Sequence, residues 1–166
     1  MIAAPTARHE RVARRVLVLL AVAALVALLI VWRQAHGAAA AERAGEAATK
    51  VARTSVPAIL SYTDSSLSAQ LASGRRLMTP AYAKRYESMV KSRVWPRARK
   101  YGVANQVGVV TAGIVRSTSE SAVILVFANQ TTRTKEKPDG LTQGTRLEVT
   151  LRFRDDRWLV DDIRPL

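Results

Sequence analysis

The side chains that could carry chemistry are few, and their positions restrict what they can do. His9 and His36 are the only imidazoles in the 166 residues, and there is no cysteine. His9 precedes a long apolar run and His36 follows it, so neither falls among the residues that build a folded core. Ser/His/Asp and Cys/His arrangements therefore lack their base. Disulfides, thiolate chemistry, iron–sulfur clusters and sulfur-based zinc sites are excluded by composition. The acidic pairs are Asp155-Asp156 and Asp161-Asp162. Neighbours on a strand point to opposite faces, so neither pair converges two carboxylates on one site. Turn chemistry, or a local ion pair with Arg157 or Arg164, accounts for them. No glycine-rich phosphate loop occurs. The sequence nominates no catalytic residue, metal ligand or cofactor site, and a non-enzymatic protein is expected.

The basic residues say more. Lys and Arg total 26 against 13 Asp and Glu, a net charge of +13. Residues 33–74 carry four basic and three acidic groups, and residues 101–166 carry nine and eight, so each stretch nets only +1. Residues 75–100 carry nine basic groups against Glu87 alone, a net of +8. Lys84, Arg85, Lys91, Arg93, Arg97, Arg99 and Lys100 are the candidate docking residues. A charge run of this kind is either a solvated helix face or a surface for an anionic partner. Membrane lipid headgroups or an acidic protein fit it, at about 1 kcal/mol per cation held near an anionic membrane. Nucleic acid ranks third, because the segment reads as exported and aromatics make up only 5% of the chain.

The elements that position this stretch begin at the N-terminus. A mean hydropathy of −0.01 hides an uneven distribution. Val16 to Trp32 is uncharged and consists almost wholly of Val, Leu, Ala and Ile, and its 17 residues sit at the short end of a membrane span. Arg15 and Arg33 extend it by snorkelling, and Trp32 suits the interfacial belt. A cleaved signal peptide is the rival, because small residues follow at Gly37–Ala41, but a signal core of ~7–15 residues is shorter than this run. Arg8, Arg11, Arg14 and Arg15 precede the run, which keeps the N-terminus in the cytoplasm and exports the rest. The expected organisation is a basic cytoplasmic tail over 1–15, a transmembrane helix over 16–32, a helical stalk over 33–60, and the remaining extracytoplasmic domain over 61–166. The expected location is the cell membrane, crossed once.

In the exported part, Ala44, Ala48, Val51, Ser55 and Ile59 follow helical spacing, and Pro57 predicts a kink or a fresh start near Ser55. A short helix is expected from Leu67 to Leu71. Thr79-Pro80 is a helix start, with Tyr82, Tyr86 and Met89 as its core stripe. Trp95-Pro96 ends or bends that helix. Strands are expected over Val107–Val115, Ala122–Gln130, Thr145–Arg154 and Trp158–Ile163. The third is the clearest, since Leu147, Val149, Leu151 and Phe153 alternate with polar residues. Tyr82, Tyr86, Phe127, Leu151, Phe153 and Trp158 are the candidate structural core. Helices followed by consecutive strands predict an α+β domain, with helices packed on one antiparallel sheet of about four strands.

Several local strings resemble the family of Mce-associated membrane proteins, accessory proteins of the mammalian cell entry lipid transporters. They are Leu60-Ser61-Tyr62 with Leu67 following, the helix start from Met78-Thr79-Pro80-Ala81-Tyr82 to Tyr86, and Val126-Phe127-Ala128-Asn129-Gln130-Thr131. The longest is Arg157-Trp158-Leu159-Val160-Asp161-Asp162-Ile163-Arg164-Pro165-Leu166. At Thr79-Pro80-Ala81-Tyr82 such proteins more often carry a Gly-Asp-Phe-like string. The resemblance implies a cone-like fold similar to nuclear transport factor 2 and to inner-membrane scaffold subunits of type IV secretion systems. It implies a non-enzymatic accessory that assembles an Mce-type lipid-import complex, with transporter subunits as partners. The alternatives are a scaffold in another envelope machine, such as a secretion system, and a pocketed small-molecule binder or isomerase-like enzyme. Oligomerisation is left open.

Overall fold

The computed structural model describes the backbone from residue 7 to residue 166, and the side chains of residues 14, 16–28, 32 and 38–166. The side chains of His9 and His36 lie outside the described residues. The first element is the helix α1, Ala7–Leu60. The chain divides into two compact units, 1–39 and 40–166. In the first unit the described apolar side chains stand in the open, from Val16 at 49% exposure to Leu19 at 68%. Among the described residues no helix is long and apolar enough to cross a membrane. The expected span at 16–32 includes residues 29–31, whose side chains lie outside the description.

The second unit is an α+β domain. After α1 come α2 (Leu67–Gly74), a 3-10 turn (Arg75–Leu77), α3 (Pro80–Met89), a π-helical turn (Val90–Val94) and α4 (Trp95–Tyr101). Four strands follow, β1 (Ala104–Ser117), β2 (Ser121–Arg133), β3 (Leu141–Arg154) and β4 (Arg157–Pro165), paired antiparallel in sequence order. Each expected strand is present and longer than its alternating stretch, because the polar ends continue the ladder. The β3–β4 hairpin turns on Asp155 and Asp156, both at positive φ (49° and 58°), the left-handed conformation that tight hairpins require and that Asp tolerates.

One face of the sheet holds the core. Ile124, Val126 and Ala128 on β2, Val149 and Leu151 on β3 and Val160 on β4 bury against Ala48, Ala52, Val56 and Ile59 of α1. The helix approaches closely because its seam is small. A Cβ on Gly45 would stand 2.8 Å from both Ile114 Cδ1 and Ser117 Oγ. Pro57 lies inside α1 without ending it. It falls three residues before the helix terminus, so the ring removes a single ladder bond, and buried Val56 and Ile59 hold the last turn on the sheet.

Several expected core positions need correction. Phe127 is 40% exposed. It pairs with Thr111 and Arg146, and since paired residues share a face, it lies opposite Val126 and Ala128 on the outer side of the sheet. Met89 is also 40% exposed, and Val90 takes its place in the core at 2%. Spacing by four from Tyr82 through Tyr86 to residue 90 carries the buried row, not spacing by three. Tyr82 and Leu151 are buried as expected, while Phe153 and Trp158 are half-buried and pack on each other at 5.5 Å between ring centroids. Leu151→Ala should cost about 2–5 kcal/mol in chemical denaturation of the full chain in detergent, the range for emptying a packed site. Phe127→Ala should cost less than half as much. The opposite ranking would place the core on the other face.

Candidate docking surface

The basic stretch is carried by α3, the π turn and α4, and its orientation is set where α3 begins. Thr79 caps the helix, its Oγ1 accepting from the Tyr82 N–H at 3.3 Å, with Pro80 in the first turn. The same hydroxyl donates to Asp161 Oδ1 at 2.8 Å, and the Thr79 N–H donates to the Val160 carbonyl at 2.8 Å. Met78 forms a parallel bridge with Val160. The helix start is thus fastened to β4. Tyr82, Ala83 and Val90 turn inward, and the Tyr86 hydroxyl donates to the Ile59 carbonyl at 2.9 Å. Burial raises the Tyr82 phenol to about 12, with the nearby Asp162 charge adding to it, and burial raises Tyr86 further. Both phenols stay protonated at neutral pH.

The π turn has a local cause. Pro96 has no N–H to offer the Ser92 carbonyl, and its ring would crowd that carbonyl in a regular helix. A wider turn over Val90–Val94 relieves the clash, and α4 restarts with Pro96 in its first turn. The regular helix, expected to end or bend at Trp95-Pro96, is thus interrupted ahead of the proline by the π turn. Gly102, at φ 61°, ends α4 in the left-handed conformation.

All nine cations of residues 75–100 are exposed. Glu87 is already engaged, accepting from Lys91 at 2.7 Å and from Arg75 at 3.4 Å. The hydrogen bond from Lys91, with its charge, holds the Glu87 carboxyl below the usual carboxylate range. Arg85 donates to the Asp161 carbonyl at 3.2 Å and lies over the Tyr82 ring, while Arg99 lies over Trp95 and Lys100 over Tyr101. Among the described residues, Lys84, Arg93 and Arg97 have no carboxylate partner. Lys84, Arg85, Ser88, Met89, Ser92 and Arg93 line one open groove of about 540 Å³. Among the described residues, six of the seven candidate docking residues form no ion pair, Lys91 being the exception. Lys84, Arg85 and Arg93 lie in this groove, and Arg99 and Lys100 sit on aromatic faces beside it in sequence. The surface offers ammonium, guanidinium and hydroxyl donors, with one thioether for apolar contact. It can bind anions. Among the described residues no cluster of three or more His, Asp or Glu could hold a metal ion.

Asp161 is the positioning residue that sequence reasoning missed. Asp162 does pair locally with Arg164 at 3.3 Å, as expected of that acidic pair. Asp161 instead sits at an irregularity of the β3–β4 ladder and takes Thr79 on one oxygen and Arg152 on the other, at 3.4 Å.

The fold has known counterparts. The chain is similar to a periplasmic fragment of TraM, with a TM-score of 0.58 and 7% identity over 72% of this chain and 95% of that one. It is similar to an IcmL-like type IV secretion system protein of Legionella pneumophila (TM-score 0.56, 10% identity, 71% and 88% covered). It is also similar to CagV, a VirB8 homolog of the type IV secretion system of Helicobacter pylori (TM-score 0.54, 12% identity, 70% and 94% covered). These likenesses show the fold, helices packed on a four-stranded antiparallel sheet. In sequence the chain is 28% identical over 74% of its length to the uncharacterized protein Rv1362c of Mycobacterium tuberculosis, and the match spans only 56% of that relative. It is 29% identical over 70% of its length to the outer membrane protein Rv1973 of the same organism, of which 72% is covered. No protein-family model matches the chain. None of these five proteins is described as Mce-associated, so the lipid-import expectation rests on the local strings alone.

Neutralising Lys84, Arg93 and Arg97 to Gln should change unfolding free energy by less than about 0.5 kcal/mol each, because exposed unpaired charges contribute little. Glu87 should behave differently. Its folded carboxyl is lowered, so its contribution is present at neutral pH and lost as pH falls through the folded value. Glu87→Gln should therefore destabilise the chain at pH 7 and make no difference once the wild-type carboxyl is protonated. A pH-independent effect would contradict the pairing.

Proposed function

We propose that this chain is a non-enzymatic, membrane-anchored scaffold whose exported α+β domain joins a multi-subunit envelope machine through its basic face. What carries the proposal is that face: nine exposed cations, with the stretch's only carboxylate already engaged. The anchor is residues 16–32, oriented with the N-terminus in the cytoplasm. The row of large apolar side chains standing open over 16–28 supports this, since so continuous an apolar surface requires a lipid or protein cover. The fold shared with TraM, IcmL-like and CagV domains supports a secretion-type machine as the first reading. A fold hosts many activities, so the partner must be read from the surface. The surface favours an acidic protein subunit or an anionic lipid headgroup. The second reading, an accessory of an Mce-type lipid importer, is supported by the C-terminal string ending Asp161-Asp162-Ile163-Arg164-Pro165-Leu166 and by the Met78–Tyr86 helix start.

The test places a photo-cross-linking residue at Ser88 in the full chain, in its native membrane, and identifies the adducts by mass spectrometry. The expected adduct is a subunit of an envelope complex, whose identity separates the two readings. Replacing Lys84, Arg85, Lys91 and Arg93 with Gln should reduce it strongly, and so should salt, since screening shortens from ~10 Å at 0.1 M to ~3 Å at 1 M. Adduct yield independent of both would reduce the patch to a solvated helix face.

A further inference from the structure

Away from the basic groove, the segment that follows α1 pairs with the start of β1 and lines an open pocket of about 280 Å³. Ser61, Thr63, Ser66, Gln70, Gln106 and Arg133 contribute to its lining, and no carboxylate does. Its frame is rigid. Tyr62 and Asn105 exchange both backbone hydrogen bonds, at 2.8 and 2.7 Å. The Asn105 side chain is used at both ends, donating to the Leu60 carbonyl at 2.8 Å and accepting from the Thr132 hydroxyl at 3.2 Å.

The remaining polar groups have donors to spare. Ser61 Oγ accepts from the Val107 N–H at 3.0 Å, which leaves its own proton without a partner among the described residues. Ser66 Oγ accepts from both the N–H and the hydroxyl of Thr63, at 3.0 and 2.7 Å, which likewise leaves its proton over. Because Ser66 is turned to Thr63, no side chain caps α2, whose first residue is the next one. The Arg133 guanidinium is exposed and has no acceptor among the described residues. Its stem is steered by Gly140, at φ +78°, where a Cβ would stand 2.8 Å from Arg133 Cγ. Gln70 spends its amide nitrogen on the Ala58 carbonyl at 2.8 Å, and its carbonyl oxygen remains as an acceptor.

We propose that this cavity is a binding site for a compact, partly protonated oxyanion of the phosphate class. The guanidinium of Arg133 supplies paired donors, the Ser61 and Ser66 hydroxyls supply two more, and the uncapped start of α2 adds a favourable dipole. The Gln70 carbonyl accepts the proton that hydrogen phosphate retains and sulfate lacks, so phosphate is preferred over sulfate. The volume lies at the small end for ligand pockets, which suits a headgroup or free phosphate. This site does not depend on the scaffold reading.

The test titrates the full chain in non-ionic detergent with inorganic phosphate, followed by calorimetry and by phosphorus NMR linewidth. Saturable binding is expected, with sulfate weaker. Arg133→Gln should weaken phosphate by roughly tenfold or more, about 1.4 kcal/mol. Lys84→Gln with Arg93→Gln should leave it unchanged. Should Arg133→Gln fail to fold, Arg133→Lys keeps the charge without the paired donors and should still lose affinity. Short-chain phosphatidic acid that competes with phosphate and is lost in the same variant identifies a lipid headgroup as the source; failure to compete identifies the free ion. The proposal is overturned by no saturable binding, by sulfate equal to phosphate, or by binding that survives the Arg133 changes and disappears with the Lys84 and Arg93 changes.

Discussion

The junction between the start of α3 and the middle of β4 is the constraint on which the exposed surface depends. One hydroxyl, on Thr79, both caps the helix and donates to Asp161, while the Thr79 N–H donates to the Val160 carbonyl and Met78 bridges to Val160. A helix fastened at its first residue has little freedom to rotate about its axis. That setting turns Tyr82, Ala83 and Val90 into the core and leaves Lys84, Arg85 and Ser88 on the opposite side. Asp161 holds the junction from the sheet side, through Arg152 on the neighbouring strand and through its own carbonyl, which accepts from Arg85.

The concentration of charge would be costly without this arrangement. Like charges on one helix repel, and here a single carboxylate offsets two of the nine. The remainder is spread over α3, the π turn and α4, and Arg85, Arg99 and Lys100 lie over aromatic faces. A surface that keeps so many cations without internal partners is suited to an external anion. The open pocket beside β1 has the same surplus of donors on a smaller scale, built from residues that the basic helix does not share.

Much of the fold was legible in the sequence. Leu147, Val149 and Leu151 alternate with polar residues, which a half-buried strand requires, and Thr79-Pro80 announced a helix start that the structure bears out. Phe127 was misplaced because Val123 to Phe127 is an unbroken apolar run, in which period two gives no phase. Met89 was misplaced because a stripe read at three-residue spacing fits Tyr86 and Met89, whereas the helix buries residues at four-residue spacing up to the π turn. The docking residues were legible as a charge count, but their presentation was not, since it depends on Asp161, 82 positions beyond Thr79. The cavity gave no local signal at all. Ser61, Ser66 and Arg133 meet only because the chain returns to the same end of the sheet.

The central claim, that the Thr79–Asp161 contact sets the helix on the sheet, is tested most directly by a double-mutant cycle. Unfolding free energies of Thr79→Ala, Asp161→Ala and the double variant would be compared with wild type by chemical denaturation of the full chain. A direct contact at the helix start predicts a coupling of about 0.5–3 kcal/mol, so that the double variant loses less than the two single losses together. Losses that add to within about 0.3–0.5 kcal/mol would show the two side chains acting independently, and would contradict the account.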